Sequence, residues 1–170
     1  GKQESHVYKR GGIWYQTHTG AVRSVWIETV ERNRLRSRVG VVSIVEDQLV
    51  RFNFTTRIHD PGKYTLRVRV YERDDALRAA DIRGVDRRDE PLASSDFPLE
   101  LDAGQKVQRV VVEIPSARLW CPEAPQLYQL VAELVDANGY TAQIEAHFGL
   151  RKIEARGRYV YLNNQPTYLD

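Results

Sequence analysis

Apolar residues in the middle of this chain recur at every second position, the spacing of strands that bury one face. In Leu49–Ile58 the set Val50, Phe52, Phe54, Thr56 and Ile58 falls on one side, and Arg51, Asn53, Thr55 and Arg57 on the other. Tyr64, Leu66, Val68 and Val70 alternate in the same way with Thr65, Arg67, Arg69 and Tyr71. Between the two segments, His59-Asp60-Pro61-Gly62-Lys63 is a turn by residue type, with proline presetting one angle and glycine tolerating a positive one. The expectation is a hairpin. A first strand is read from Val39, Val41, Val42, Ile44 and Val45, and a later one over Val107–Ile114, with Val110, Val112 and Ile114 on its apolar side. Leu127–Val135 places Tyr128, Leu130, Ala132 and Leu134 together, and Tyr140–Leu150 alternates along its whole length. Asp136-Ala137-Asn138-Gly139 separates those two, and Asn-Gly is the strongest short hairpin cue. A shorter strand is expected over Phe97–Leu101.

Other stretches interrupt the pattern. In Leu119-Trp120-Cys121-Pro122-Glu123-Ala124-Pro125-Gln126-Leu127 the two prolines exclude helix and set a rigid corner. Trp120 is expected to pack over the end of the core. Glu72–Asp96 is charged and irregular, with a weak helical pattern only in Ala76–Ala80, and so long a connection is uncommon inside a domain. Val22–Val30 is rich in β-formers, and Glu31–Arg38 has the polar composition of an exposed joint between compact units. Near the end, Tyr159–Leu162, the Asn163-Asn164 turn and Thr167–Leu169 make a small hairpin. Short strands with turn signals between them predict an all-β fold, an immunoglobulin-like antiparallel two-sheet sandwich.

Composition narrows the function classes. A chain of 170 residues holds one domain with a real core and some appended material. Lys+Arg 25 against Asp+Glu 23 leaves a net charge of +2, spread along the chain, which argues against a nucleic-acid or membrane-surface binder. No apolar run reaches membrane-spanning length, and Gly1–His6 does not read as a signal peptide. Cys121 is the only cysteine, so no disulfide forms within the chain, and its thiol between Trp120 and Pro122 reads as a small packed hydrophobe rather than a nucleophile. One cysteine fits a cytoplasmic chain and a periplasmic or secreted one alike.

Candidate chemistry is sparse. His6, His18, His59 and His147 lack metal-ligand spacing, so no metal and no cofactor is expected. Glu100, Glu113, Glu133 and Glu145 fall on or beside the polar faces of strands. Trp14, Tyr15, Trp26 and Trp120 offer aromatic faces, for core packing in one reading and for stacking on sugars in the other. Asn53-Phe54-Thr55 matches a glycosylation acceptor but sits in mid-strand. Asp74–Glu90 reads as a solvated loop, with a docking element as the other reading.

Three stretches together resemble one family. The corner LWCPEAPQLYQL, the segment FGLRKIE (Phe148–Glu154) and the closing YLNNQPTYL (Tyr161–Leu169) are similar to the end of the immunoglobulin-like domain of glycoside hydrolase family 2 and its run into the catalytic barrel. That family contains β-galactosidases, β-glucuronidases and β-mannosidases. GKQ at the N-terminus, then GGIWYQTHTG and VWIE, resemble the last strands of the jelly-roll domain that precedes the sandwich. Two departures stand out: Gly20-Ala21-Val22-Arg23 replaces the usual Gly-Ile-Trp-Gln, and Asn164 stands where the family usually has glycine.

The resemblance implies three parts: 1–30 as the end of a jelly roll, 31–153 as the sandwich, and 154–170 as a lead-in hairpin to a (β/α)8 barrel. It implies a non-catalytic spacer in a parent that hydrolyses β-glycosidic bonds with retention. The family's two catalytic glutamates lie on the barrel, so the resemblance implies no catalytic residue, no cofactor and no metal in these residues. Its expected partners are the parent's own jelly roll and barrel and a homo-oligomer contact, with no nucleic acid and no membrane. Apolar residues at the cut ends (Trp14, Tyr161, Leu162, Tyr168) are expected to lack their usual cover. Alternatives are a carbohydrate-binding sandwich using exposed aromatics and an adhesion-type structural sandwich.

Overall fold

The alternating segments form strands in chain order: β1 (Arg34–Leu35), β2 (Gly40–Ile44), β3 (Leu49–Ile58), β4 (Gly62–Glu72), β5 (Ala93–Leu101), β6 (Gly104–Glu113), β7 (Tyr128–Asp136), β8 (Ala142–Phe148), β9 (Ile153–Arg156), β10 (Tyr159–Leu162) and β11 (Gln165–Thr167). These come from a computed structural model that describes residues 25, 27, 29–73, 90–139 and 142–167. The chain divides into two units, Gly1–Val30 and Glu31–Asp170, and the strands of the described residues lie in the second. Trp14, Tyr15, Trp26, His6, His18, Tyr168 and the Ala76–Ala80 segment lie outside the described residues.

In the first sheet β3 is central. β6 runs along one of its edges from Leu49↔Glu113 to Ile58↔Gly104, while β1 and β2 share the other edge in succession. The second sheet has the order β5-β4-β7-β8, antiparallel throughout. Central β3 pairs with β6, and β4 pairs with β7, so the two sheets form the all-β, immunoglobulin-like sandwich.

Both apolar sides face inward. Val50, Phe52, Phe54 and Ile58 of the first sheet and Leu66, Val68, Val70, Leu130 and Leu134 of the second are buried in one cluster. Phe52 meets Phe148 edge-on, with ring centroids 5.3 Å apart, and Tyr128 lies 5.7 Å from Phe148. The Phe52–Phe148 edge contact places the positive rim of one ring on the negative face of the other, while Tyr128 lies tilted against Phe148.

The expected hairpin of Leu49–Ile58 with Tyr64–Tyr71 does not form. β3 and β4 pair in different sheets, and His59–Pro61 carries the chain across the sandwich. Both segments carry a full apolar side, and placing them in facing sheets lets Phe52 and Phe54 share one core with Leu66 and Val68. Asn33 holds the crossing: its Oδ1 accepts from the backbone N–H of His59 at 2.7 Å and of Asp60 at 3.1 Å. Tyr64 adds a hydroxyl bond to the Asp60 carbonyl at 2.6 Å. Glu31–Arg38 is therefore more than an exposed joint, since it contributes β1 and buries Leu35 in the core.

Other expectations hold with shifted ends. β5 begins at Ala93 rather than Phe97, because Ser94 to Asp96 pair with Arg69 to Arg67 although they carry no apolar side chain. The Asn138-Gly139 signal joins β7 to β8, with Gly139 at φ +108° and the Asp136 carboxylate accepting from the N–H groups of Asn138 and Gly139. The closing hairpin gains a third strand, β9, and becomes a meander, β9-β10-β11.

Tyr128, at the start of β7, is 2% exposed. Its hydroxyl accepts from the Arg118 N–H at 2.7 Å and donates to the Arg118 carbonyl at 3.1 Å. This is the tyrosine corner of immunoglobulin-like sandwiches, which ties the start of a strand to the chain just upstream. Removing the hydroxyl leaves two backbone groups of Arg118 short of a partner. Tyr128→Phe is expected to cost about 1–3 kcal/mol of unfolding free energy. Urea denaturation checks this, and an unchanged midpoint would contradict it.

Candidate functional site

The densest polar arrangement is the joint between sandwich and meander, and it is built on the two prolines of the corner. Cys121 and Ala124 exchange backbone hydrogen bonds at 3.2 and 3.1 Å, which closes the turn around Pro122. The turn leaves Trp120 beside the end of β8, where its backbone N–H donates to the Leu150 carbonyl at 2.8 Å. Gly149 leaves room for this approach: a Cβ there would lie 3.0 Å from Trp120 Cβ and 3.1 Å from Cγ, so the ring would have to shift by a few tenths of an ångström. On the ring itself sits the Arg151 guanidinium, 4.8 Å from the centroid. Trp120 is half-buried and outside the core cluster, so it seals the joint and does not cap the core as expected. With Gly149 against it and Arg151 over it, it is not a bare sugar platform.

The Asn163-Asn164 turn completes the joint. Leu162 pairs with Gln165, and both asparagines take positive φ, 51° and 66°, as a two-residue hairpin turn demands. Asn163 Oδ1 accepts from the Lys152 N–H at 3.0 Å, and its Nδ2 donates to the Trp120 carbonyl at 2.9 Å. The Asn163 N–H donates to the Lys152 carbonyl at 2.8 Å. One side chain thus ties the meander to the corner.

Beside it lies a charged cluster. Lys152 Nζ contacts Glu46 Oε1 at 2.5 Å and Glu154 Oε2 at 3.7 Å. Asn164 Oδ1 accepts from Lys152 Nζ at 3.2 Å and from the Arg156 guanidinium at 2.9 Å, while its Nδ2 donates to Glu46 at 3.2 Å. Arg156 also pairs with Glu154 and lies 4.7 Å over the Tyr161 ring. Glu46 belongs to a single 3-10 turn, Val45–Asp47, that follows β2, so the cluster links the sandwich to the meander. The hydrogen bond from Lys152 holds the Glu46 carboxyl down at about 2, and the bond to Glu46 raises the Lys152 ammonium above its usual range. A carboxylate so low stays ionised at neutral pH and cannot serve as a general acid there.

The residues singled out in the sequence are dispersed. Glu100, Glu113 and Glu145 are exposed on β5, β6 and β8, and Glu133 is half-buried on β7 with Arg67 as its cross-strand neighbour. His59 and His147 are exposed; desolvation and the Arg73 charge push His147 down against the opposing pull of Glu145. Cys121 is half-buried, with Sγ 3.9 Å from the Ala124 carbonyl. Among the described residues no three His, Cys, Asp or Glu side chains gather as a metal set. Asn53 is paired inside the first sheet between Gly40 and Arg109, its Oδ1 buried without a partner, so it is not an open glycosylation acceptor. Tyr161 and Leu162 are half-buried rather than uncovered, because β9 and Arg156 pack beside them.

Sequence reasoning passed over Asn33, Asn163 and the hydroxyl of Tyr128. Each acts on backbone groups distant in the chain, which periodicity does not register. The Asn-Asn pair was visible as a turn. Its reach to Trp120 was not.

Comparison with known proteins agrees with the fold. The family model for glycosyl hydrolases family 2 matches residues 34–151, from β1 through the end of the sandwich. A β-galactosidase of Pseudoalteromonas haloplanktis is 27% identical over 117 residues, 67% of this chain and 10% of that protein. One of Vibrio vulnificus is 29% identical over 120 residues, 69% of this chain and 11% of that protein. The chain therefore spans about a tenth of the length of these relatives. Among solved structures, a glycosyl hydrolase family 2 member from Bacteroides cellulosilyticus aligns with a TM-score of 0.64 at 17% identity, covering 79% of this chain and 17% of that one. A β-glucuronidase from glycoside hydrolase family 2 aligns at 0.60 with 13% identity, covering 80% and 14%. At such identities the structures speak for the fold alone, whereas the family pattern runs through the strands that build both sheets, and by it the chain belongs to glycosyl hydrolases family 2.

Proposed function

We propose that these residues are a non-catalytic immunoglobulin-like spacer of a family 2 glycosidase, whose parent hydrolyses β-glycosidic bonds, β-galactosidase-like, with retention. The observation that carries the reading is the family match over residues 34–151, which coincides with a sandwich in which Glu100, Glu113, Glu133 and Glu145 stand singly on four different strands and Glu46 is tied up with Lys152. A retaining glycosidase needs two carboxyls about 5–5.5 Å apart in one cleft. The relatives named as β-galactosidases support the substrate class. In this reading 1–30 ends a jelly roll, 31–153 is the spacer and 154–170 leads toward the barrel, and the joint at Trp120 and Asn163 sets the direction in which the chain leaves the sandwich. No nucleic acid, membrane, metal or cofactor enters the reading, and the spacer's partners are the parent's own domains and a homo-oligomer contact.

Incubated with a panel of nitrophenyl glycosides, the chain is expected to release no nitrophenol above the buffer rate. Robust hydrolysis would overturn the spacer reading.

A spacer must hold its exit direction, so loosening the joint should free the meander and spare the sandwich. Asn163→Gly tolerates the positive φ and keeps the backbone bond to the Lys152 carbonyl, but removes the side-chain bonds to the Lys152 N–H and the Trp120 carbonyl. Hydrogen exchange at Ile153–Thr167 is expected to accelerate on the order of tenfold or more, while amides of Val50–Phe54 keep their protection. Equal acceleration in both regions would mean that joint and core open together.

The same joint should respond to acid in one direction. A carboxyl whose folded pKa is depressed contributes stability above its unfolded value and loses it as pH falls through the folded value. For Glu46 the contribution is complete above about 4.5 and fades toward about 2. Meander amides are therefore expected to exchange alike, after correction for intrinsic rates, from pH 7 to pH 5, and to lose protection below pH 4. A Glu46→Gln chain should not show that acid step.

A further inference from the structure

The outer faces of the two sheets differ in how their charges are met. On the second sheet Arg69 and Arg67 reach Asp96 at 2.7 and 3.7 Å, and Gln129 and Gln143 bond Glu145 at 3.0 and 2.9 Å. On that face Asp96 and Glu145 are met from within the sheet. On the first sheet, registered neighbours lie on one side: Arg34 beside Arg57, Val42 beside Arg51 beside Val111, Asn53 beside Arg109, and Thr55 beside Val107. Arg36 and Arg38 join this side from the segment between β1 and β2, where they line a depression of about 450 Å³ with Asn53 and Gln105. None of Arg34, Arg36, Arg38, Arg51, Arg57 and Arg109 makes an ion pair among the described residues. Between them stand Val42, Val107 and Val111, exposed by 38, 54 and 47%.

A near-zero net charge over the chain thus conceals one predominantly basic face, with the carboxylate of Glu113 at the end of β6 at its edge. Its cations are all arginine, with apolar side chains among them and a recess large enough for an inserted side chain. Protein interfaces are enriched in arginine and depleted in lysine, and they place apolar anchors in central recesses. A polyanion such as nucleic acid would meet the arginines but leave the valines without a complement. A second copy of the same face is disfavoured, because two-fold pairing would set these arginines against themselves.

We propose that the outer face of the first sheet docks an acidic, apolar-centred protein surface belonging to another folded part of the parent polypeptide. This rests on the spacer reading for the existence of such a part, and on charge complementarity for its chemistry. Carboxylates there would take the Arg51 and Arg109 guanidiniums in bidentate pairs, and one apolar side chain would enter the recess beside Val107.

The test uses the full-length parent polypeptide with Val111 replaced by photoreactive p-benzoylphenylalanine. Irradiation is expected to give a crosslink, mapped by mass spectrometry, to a peptide outside residues 1–170 of the same polypeptide that carries Asp or Glu beside an apolar residue. Adding Arg51→Glu and Arg109→Glu should lower the crosslink yield about tenfold or more, while Arg67→Glu on the opposite face should leave it within twofold. Unchanged melting of the charge-reversed protein separates lost docking from lost folding. A crosslink to residues 31–170 of a second copy, to co-purifying nucleic acid, or to nothing overturns the proposal. Glycosidase activity of the same preparation separates the two readings: an active protein without the crosslink sinks only the docking face, and an inactive one with the crosslink sinks only the glycosidase assignment.

Discussion

Everything in this fold depends on two apolar sheet sides closing on each other. A strand that alternates strictly has one face to hide, and a single sheet of such strands would leave that face in water at roughly 25 cal/mol per Å². Crossing from β3 to β4 between layers, rather than turning back in one layer, gives Phe52 and Phe54 a facing wall of Leu66, Val68 and Leu130. That crossing is a bend with exposed backbone, and Asn33 and Tyr64 supply the hydrogen bonds it lacks. The core and the polar fastening at its edge are thus one device.

Much of this was legible as pattern. The inward sets of β3, β4, β6, β7 and β8 follow from period two alone, and the Asn138-Gly139 turn from the φ that glycine permits. Pairing was less legible, since period two says which side of a strand is buried and nothing about which strand lies beside it. The 49–58 and 64–71 segments carry an ordinary turn between them, and only the competition for a two-layer core decides that they part. β1 escaped notice because two residues are too few to alternate, although Leu35 is buried. Tyr128 was read as one apolar position among four. Its hydroxyl, which closes on a residue ten positions upstream, carries no periodic signature.

The candidate site was legible only in part, for a similar reason. The prolines marked a rigid corner, and Asn163-Asn164 marked a turn, but their meeting through Trp120 is a property of the fold. Where the family usually has glycine, Asn164 keeps the positive φ of 66° and adds a side chain that bridges Glu46, Lys152 and Arg156. Asparagine is among the few non-glycine residues that visit this region readily, so the exchange is sterically mild. It trades some backbone freedom for three polar contacts, of which the one to Glu46 crosses from the meander to the sandwich. A stiffer exit from the sandwich follows from that one position.

Charge makes the same point at a larger scale. Summed over the chain, 25 basic and 23 acidic side chains nearly cancel, and the sum argues against a charged binding surface. Strand alternation then sorts them: Arg51, Arg57 and Arg109 must point away from the core because Phe52, Thr56 and Val110 point into it. Period two therefore distributes charge as strictly as it distributes hydrophobicity. On the second sheet it brings Asp96 to Arg69, and on the first it brings valine to arginine. A face so composed holds its cations in water only while nothing covers it, and guanidinium groups, weakly hydrated and planar, lose less on being covered than ammonium groups would. The alternation that builds the core thus also builds, on the reverse of the same strands, a surface suited to contact.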